Sequence, residues 1–292
     1  MKGQLLLIYN PSSGKQLVHR MLGDLILSLQ EKWEITVRAT SYAGHAETLA
    51  SSASADYEVI IAAGGDGTIH EVVNGLMQKE QRPILGILPG GTANDIARSL
   101  QIPLNLLEAC NFLKSESIQS IEVGKCGERH FINFLGFGLI SQVSNQVKGE
   151  TKALFGHFTY YLKSLQNLRN QSSFRIQIET EERTLETEAV MGYIANGRSL
   201  GGMELFPYSG LGDGQFEVFL VHDISLAELV NVASSYFRHT PINDQSMTHF
   251  QASSITIECE PSQLIDMDGE KSDMTPVKIE LVPSALQVIG QL

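Results

Sequence analysis

A chain of 292 residues is longer than the roughly 100 to 200 residues of a usual domain, so two domains are predicted. Hydrophobic residues at 42% and charged residues at 18% are the balance of a folded protein and exclude disordered and fibrous classes. A formal net charge of −12 excludes general binding to nucleic acid or to anionic membrane through bulk electrostatics, and leaves only local contact with a lipid surface.

In chain order the apolar patterning predicts a strand at 5–9, a helix at 16–31, a strand at 34–39, a helix at 46–53 and a strand at 58–63. A helix at 68–78, a strand at 84–88 and a helix at 94–100 follow. Strands alternating with helices make a parallel sheet with helical crossovers. In the helix after Thr68, the residues Ile69, Val72, Val73 and Leu76 fall on one face, which packs on that sheet. From about Ile121 the texture becomes β-rich, with strands predicted at 174–179, 186–194, 215–221, 254–259 and 277–281. Their apolar and polar residues alternate as in an antiparallel sandwich. Helical stretches at 151–168 and 225–236 interrupt them. The predicted fold is an α/β domain over residues 1–122 and a β-sandwich domain over 123–292, whose last segment is a candidate for return to the first domain.

The longest apolar runs are strand-sized, far below the ~20 residues of a membrane span. The N-terminus enters a strand at once without a cleavage pattern, which reads as a cytoplasmic protein. Cys110, Cys126 and Cys259 are odd in number and widely spaced, which suggests neither a disulfide framework nor a zinc site.

The strand ending at Ala63 runs into Gly64-Gly65-Asp66-Gly67-Thr68 and then a helix. Glycines at such a turn let backbone N–H groups approach an anion, and the helix dipole favours negative charge there, so phosphate is the expected guest. A carboxylate in that loop repels phosphate unless a divalent cation lies between them, so Asp66 implies Mg²⁺. A bland glycine turn is the alternative, and two further segments weigh against it. Pro89-Gly90-Gly91-Thr92-Ala93-Asn94-Asp95 repeats the arrangement after the next strand. Asn10-Pro11-Ser12-Ser13-Gly14-Lys15 follows the first strand and offers amides, hydroxyls and an ammonium at the same carboxyl edge, where open α/β sheets bind ligands. The Walker A spacing fails, because Tyr9 and Gln16 stand where it needs a glycine and a hydroxyl residue, and the dinucleotide fingerprint is not met.

Together these segments resemble the diacylglycerol kinase catalytic family, which includes soluble bacterial lipid kinases and the sphingosine and ceramide kinases. The likeness extends through residues 133–138, 196–202 and 207–214 to Asp268-Gly269-Glu270. It implies a nucleotide-binding N-terminal domain, a C-terminal β-sandwich and an active site in the cleft between them. It implies ATP contacts from Asn10, Pro11, Ser12, Ser13, Gly14, Lys15, Thr40, Gly64, Gly65, Asp66, Gly67, Thr68 and Thr92. It implies Asp66 acting through Mg²⁺, Glu270 as general base, and a polar network of Lys15, Arg20, Asp95, Arg98, Glu122 and Lys163. Gly210, Asp213 and Gln215 match a structural Mg²⁺ site, with one carboxylate and two backbone oxygens. The chain departs from the family in having Glu122 for a usual Asp, Ile140-Ser141 for a usual Asp-Ala, Ser209 for Ala and Met203 for Gly.

Several plain readings stand beside these. Glu270 fits an ordinary acidic hairpin equally well, although a lipid hydroxyl needs a carboxylate to accept its proton, and Asp268 rivals Glu270 for that role. Asp213 fits a β-turn. Lys15, Arg20, Arg98 and Lys163 fit solvated surface charges. His45 and His70 have no carboxylate partner at helical spacing and read as packing residues. The helix at 151–168, with Phe155, Phe158, Tyr160 and Tyr161, is expected at the lipid entrance, and Lys148, Lys152, Lys163 and Arg169 are expected to supply transient membrane attraction. The predicted function is phosphoryl transfer from Mg-ATP to a diacylglycerol-like lipid, with homodimerisation left open. The rivals are kinases of phosphatidylglycerol, of a sphingoid base or of NAD, and a nucleotide sensor without transfer activity.

Overall fold

The computed structural model describes residues 2–115, 117–139, 173–204, 206, 209–222 and 247–292. The expected helices at 151–168 and 225–236, the pair Ile140-Ser141 and Lys163 lie outside the described residues.

The first half alternates β1 (Gly3–Tyr9), α1 (Leu17–Leu29), β2 (Trp33–Ala39), α2 (His45–Ser51), β3 (Val59–Gly64), α3 (Asp66–Met77) and β4 (Ile84–Pro89). Two further helices follow, α4 (Asp95–Ser99) and α5 (Leu106–Ser115). Strands β2, β1, β3 and β4 lie side by side and parallel. β3 is buried along its whole length, because α1 and α5 pack together and α2 packs with α3 over the sheet. Strands covered on both faces carry continuous apolar sequence rather than alternation, as Val59-Ile60-Ile61-Ala62-Ala63 does. Helix α5 was not predicted, although Leu106, Ala109, Cys110 and Leu113 are its buried face and the Asn105 side-chain Oδ1 accepts the Leu107 and Glu108 N–H groups at its start.

The second half contains β5 (Ile118–Cys126), β6 (Arg129–Phe131), β7 (Phe134–Gly138), β8 (Phe174–Thr180), β9 (Thr184–Ala189) and β10 (Met191–Ala195). After these come the short pair β11 (Ser199–Leu200) and β12 (Met203–Glu204), then β13 (Phe216–Val221), β14 (Met247–Ala252) and β15 (Ser254–Glu260). It ends with β16 (Leu264–Met267), β17 (Glu270–Met274) and β18 (Val277–Ile289). Among the described residues the strands form a ten-stranded sheet, a six-stranded sheet in the order β14-β13-β10-β7-β16-β17, and the β11-β12 pair. Phe174, Ile176, Ile178, Ile255, Ile257 and Ile279 from the larger sheet meet Phe137, Ile194, Phe216, Val218, Leu220 and Ile265 from the smaller one. Two antiparallel layers closing over a shared apolar core are a β-sandwich.

Two sequence expectations are corrected. The strand expected at 186–194 is two strands that turn at Val190 and join different sheets, β9 pairing with β8 and β10 with β7 and β13. The strand expected at 277–281 continues to Ile289 with a register shift between Val282 and Leu286. β18 pairs with β15 at its start, with β5 along much of its length, and in parallel with β4 at Val288. The expected division at residue 122 falls inside β5. Among the described residues no helix is long and apolar enough to cross a membrane.

Candidate active site

Three loops meet at the carboxyl edge of β1, β3 and β4. The Asn10 N–H donates to the Ala63 carbonyl at 3.0 Å, and the Gly90 N–H donates to the Gly64 carbonyl at 2.7 Å. A Cβ on Gly14, whose φ is +51°, would lie 1.7 Å from the Gly90 oxygen, and one on Gly65 would lie 3.3 Å from the Gly91 Cα. Only a hydrogen fits at the Gly14 contact, so glycine there is a packing requirement, and the Gly65 contact is tight. Gly14, Lys15 and Gln16 are successive left-handed residues, a conformation that costs the two non-glycine members and is retained where surroundings enforce it. The turn is held by Gln16 N–H donating to the Ser13 carbonyl at 2.8 Å and by the Arg20 guanidinium donating to the Lys15 carbonyl. Asn10 donates from Nδ2 to Thr68 Oγ1 at 3.4 Å and receives the Ser12 N–H at 2.9 Å. Thr40 donates its N–H to the Tyr9 carbonyl at 2.9 Å, which brings it to the same edge. Thr92 is exposed in the third loop.

Asp66 opens α3, and its Oδ1 receives the Ile96 N–H at 3.1 Å. Burial, then the neighbouring Asp95 charge, push its carboxyl up to about 7. Asp95 is itself buried and fully engaged, with Ser199 Oγ at 2.7 Å, Gly201 N at 2.7 Å and Gly202 N at 2.8 Å all donating to it. It thereby ties α4 to the β11–β12 turn of the second domain. Arg98 donates from Nε to the Ala93 carbonyl at 3.0 Å.

Glu270 comes from the far end of the chain and is exposed at the start of β17. A Cβ on Gly67 would lie 3.0 Å from Glu270 Oε1, so the carboxylate rests against the glycine loop. Asp268 sits in the same hairpin but is buried. Its Oδ1 receives the Asn133 and Phe134 N–H groups and its Oδ2 the Ile132 N–H, each at 2.9 Å. The ring of His70 lies against Asp268 Oδ2 at 3.1 Å. With every acceptor direction taken, Asp268 has no place for a substrate proton, and it gives His70 a carboxylate partner that spacing does not suggest. Its partner lies 198 residues away, beyond any spacing rule. His45 accepts the Ser41 N–H and stacks on Tyr42 at 4.6 Å.

A second group forms around Glu122, which is buried and receives the Gly214 N–H at 3.0 Å; burial raises its carboxyl above the usual range. Asp213 receives the Gly210 N–H at 2.8 Å and the Gln215 N–H at 3.1 Å, and burial raises it as well. Among the described residues no three His, Cys, Asp or Glu side chains converge into a metal cage. The donor chemistry still fits a hard cation at both places. Asp66 is a half-buried carboxylate beside Asp95, and Asp213 offers oxygens that each accept one amide and keep a further lone pair.

Residues 4–126 match the diacylglycerol kinase catalytic domain, and residues 134–290 match the YegS C-terminal NAD kinase beta sandwich-like domain. A diacylglycerol kinase of Staphylococcus saprophyticus is 34% identical over 279 residues, covering 94% of this chain and 92% of that protein. One from Bacillus subtilis strain 168 is 34% identical over 274 residues, covering 92% and 90%. The crystal structure of a candidate diacylglycerol kinase from Bacillus anthracis str. Sterne superposes with a TM-score of 0.85 at 32% identity, over 99% of this chain and 97% of that one.

Proposed function

The chain belongs to the diacylglycerol kinase family of lipid kinases, and from that premise we propose that it transfers the γ-phosphoryl group of ATP, with Mg²⁺, to the hydroxyl of a diacylglycerol-like lipid, giving a phosphatidic-acid-type product. The observation that carries this reading is the meeting of Glu270 with Gly67. A carboxylate from one end of the chain lies against a phosphate-type glycine loop from the other.

In this reading the amides of the Asn10–Lys15, Gly64–Thr68 and Gly90–Thr92 loops hold the phosphates, and the Lys15 ammonium adds a positive charge at their edge. Asp66 would hold the catalytic Mg²⁺ through the nucleotide, and Gly210, Asp213 and Gln215 a structural one. When bound, the catalytic ion neutralises charge that builds on the phosphate oxygens. Glu270 takes the proton of the lipid hydroxyl as its oxygen bonds to the γ-phosphorus. The bond from that phosphorus to the β–γ bridging oxygen breaks, and ADP leaves. Buried Asp95 and Glu122 stiffen the surroundings by accepting the backbone N–H groups of Gly201, Gly202 and Gly214. The lipid reaches the site by transient contact with a membrane surface.

The test is transfer of labelled γ-phosphoryl to a lipid panel in mixed micelles, comparing the native chain with Asp66→Ala and Glu270→Ala. Label is expected in the diacylglycerol product, with turnover lowered at least ~100-fold in Glu270→Ala, as for the loss of a positioned general base, and likewise in Asp66→Ala, which lacks the carboxylate that would hold the metal. Exclusive labelling of phosphatidylglycerol, a sphingoid base or NAD would replace the acceptor, and full turnover by Glu270→Ala would remove the mechanism.

A further inference from the structure

Glu270 is an exposed side chain on a hairpin, yet proton abstraction needs its carboxylate held within hydrogen-bond reach of one oxygen. The hairpin explains how. Its two turn residues, Asp268 and Gly269, have φ of 53° and 90°, the left-handed pair of a tight two-residue connection. Gly269 donates its N–H to Asp266 Oδ1 at 2.8 Å, and the Asp268 N–H donates to the Phe134 carbonyl at 3.0 Å. The Asp268 side chain then turns inward to the three successive amides of residues 132–134 and to His70.

His70 stands on the helix whose first residues make the glycine loop, four residues after Asp66 and three after Gly67. Its tautomer follows from Asp268, whose carboxylate only accepts, so the ring hydrogen sits on Nδ1 and is donated to Oδ2. The Asn74 Oδ1 receives the His130 N–H at 2.9 Å, its Nδ2 donates to the His70 carbonyl at 3.0 Å and the His130 carbonyl at 2.9 Å, and His70 Nε2 lies 3.2 Å from that nitrogen. Nδ1 and both carboxylate oxygens are occupied, and Nε2 is closed off by the Asn74 amide. The pair has no free position from which to exchange a proton with substrate.

We infer that His70 and Asp268 are positioning residues that fix the distance between the glycine loop and Glu270, by bolting the helix that begins at Asp66 to the turn that presents the carboxylate. This rests on the reading of Glu270 as the proton acceptor. The link spans three residues on one side and two on the other, which is short enough to transmit any displacement of α3 to the carboxylate.

The experiment compares His70→Leu, His70→Asn and Glu270→Gln for turnover, KM for ATP and thermal unfolding. In Asn the Nδ2 donor occupies the place of His Nδ1, so His70→Asn is expected to keep turnover within a few fold of native. His70→Leu deletes the donor and is expected to lower kcat by about 10- to 100-fold, the scale of an ångström misplacement at a reacting centre, while KM for ATP changes less than about twofold. Near-native kcat in folded His70→Leu, with Glu270→Gln inactive, overturns the positioning role and leaves the base intact. Full turnover by Glu270→Gln overturns the base itself. If His70→Leu does not fold, His70→Ala is measured in its place, and failure of every donor-less variant to fold while His70→Asn works assigns the bond to stability alone and overturns the inference.

Discussion

A carboxylate withdrawn from water and close to another carboxylate opposes folding unless something positive joins it. Asp66 is in that position, shifted from its ordinary 3.8 to about 7 by burial and then by Asp95. Because the folded state holds its proton more tightly than the unfolded state, metal-free protein loses stability as pH rises from about 4 to about 7 and regains none above. Asp66→Asn keeps an oxygen for the Ile96 N–H and removes that loss. The variant is expected to melt higher than native at pH 7.5 in chelator, by about 2–4 °C for each kcal/mol recovered, and at the same temperature as native at pH 4, while showing no transfer activity. Calorimetry at the two pH values checks this, and an unchanged difference between them would refute the assigned cause. At this scale the sequence was most legible where a local rule operates. Glycine runs after strands announce close approach of backbone, and Asp66 stood out because its charge contradicts its setting. His70 and Asp268 were illegible as a pair, since each looks ordinary until α3 and the β16–β17 turn are brought together.

Among the elements, the loops after β1, β3 and β4 are packed on one another, so each constrains the next. Gly67→Ala places a methyl 3.0 Å from Glu270 Oε1 and displaces the carboxylate without touching either core. Its expected effect is a fall in kcat of about 10-fold or more with thermal unfolding near native, read from initial rates and a melting curve. Gly14→Ala drives a methyl into the Gly90 carbonyl at 1.7 Å, and it shifts the first loop away from the third. The expected result is a rise in KM for ATP larger than any fall in kcat, measured by varying nucleotide at saturating lipid. The parallel sheet was legible from its continuous apolar strands, and most of its boundaries fell within two residues of those observed. The turn at Val190 was not, because Ala189-Val190-Met191 carries no Gly, Pro, Asn or Asp to mark the corner where one strand leaves the larger sheet and the next enters the smaller. Helix α5 carried the i, i+3, i+4, i+7 signal in Leu106, Ala109, Cys110 and Leu113, and that periodicity was sufficient to find it.

Taken as a whole the molecule is bound together by its last strand. β18 touches β4 of the parallel sheet, β5, and β15 of the sandwich, and Leu286 is buried in the first core. Leu286→Ala is expected to cost about 2–5 kcal/mol and to lower the melting temperature of both halves together, because the parallel strands and the antiparallel strands of the larger sheet are joined through this strand. A calorimetric trace of the native chain should show one transition; two separated transitions, with only one moved by the substitution, would contradict shared dependence on β18. That dependence had no local mark, since the far half of β18 pairs with strands from distant parts of the chain.

The grip of Asp268 on the amides of Ile132, Asn133 and Phe134 has a mechanical consequence. This is the stretch by which the polypeptide passes from β6 into β7, and it is nailed to the same post as α3. Bodies pinned at a post swivel about it and do not slide apart. Admission of a bulky acyl guest would then proceed by rotation, so probes at the outer rims should report widening while the span from Gly67 to Glu270 stays constant.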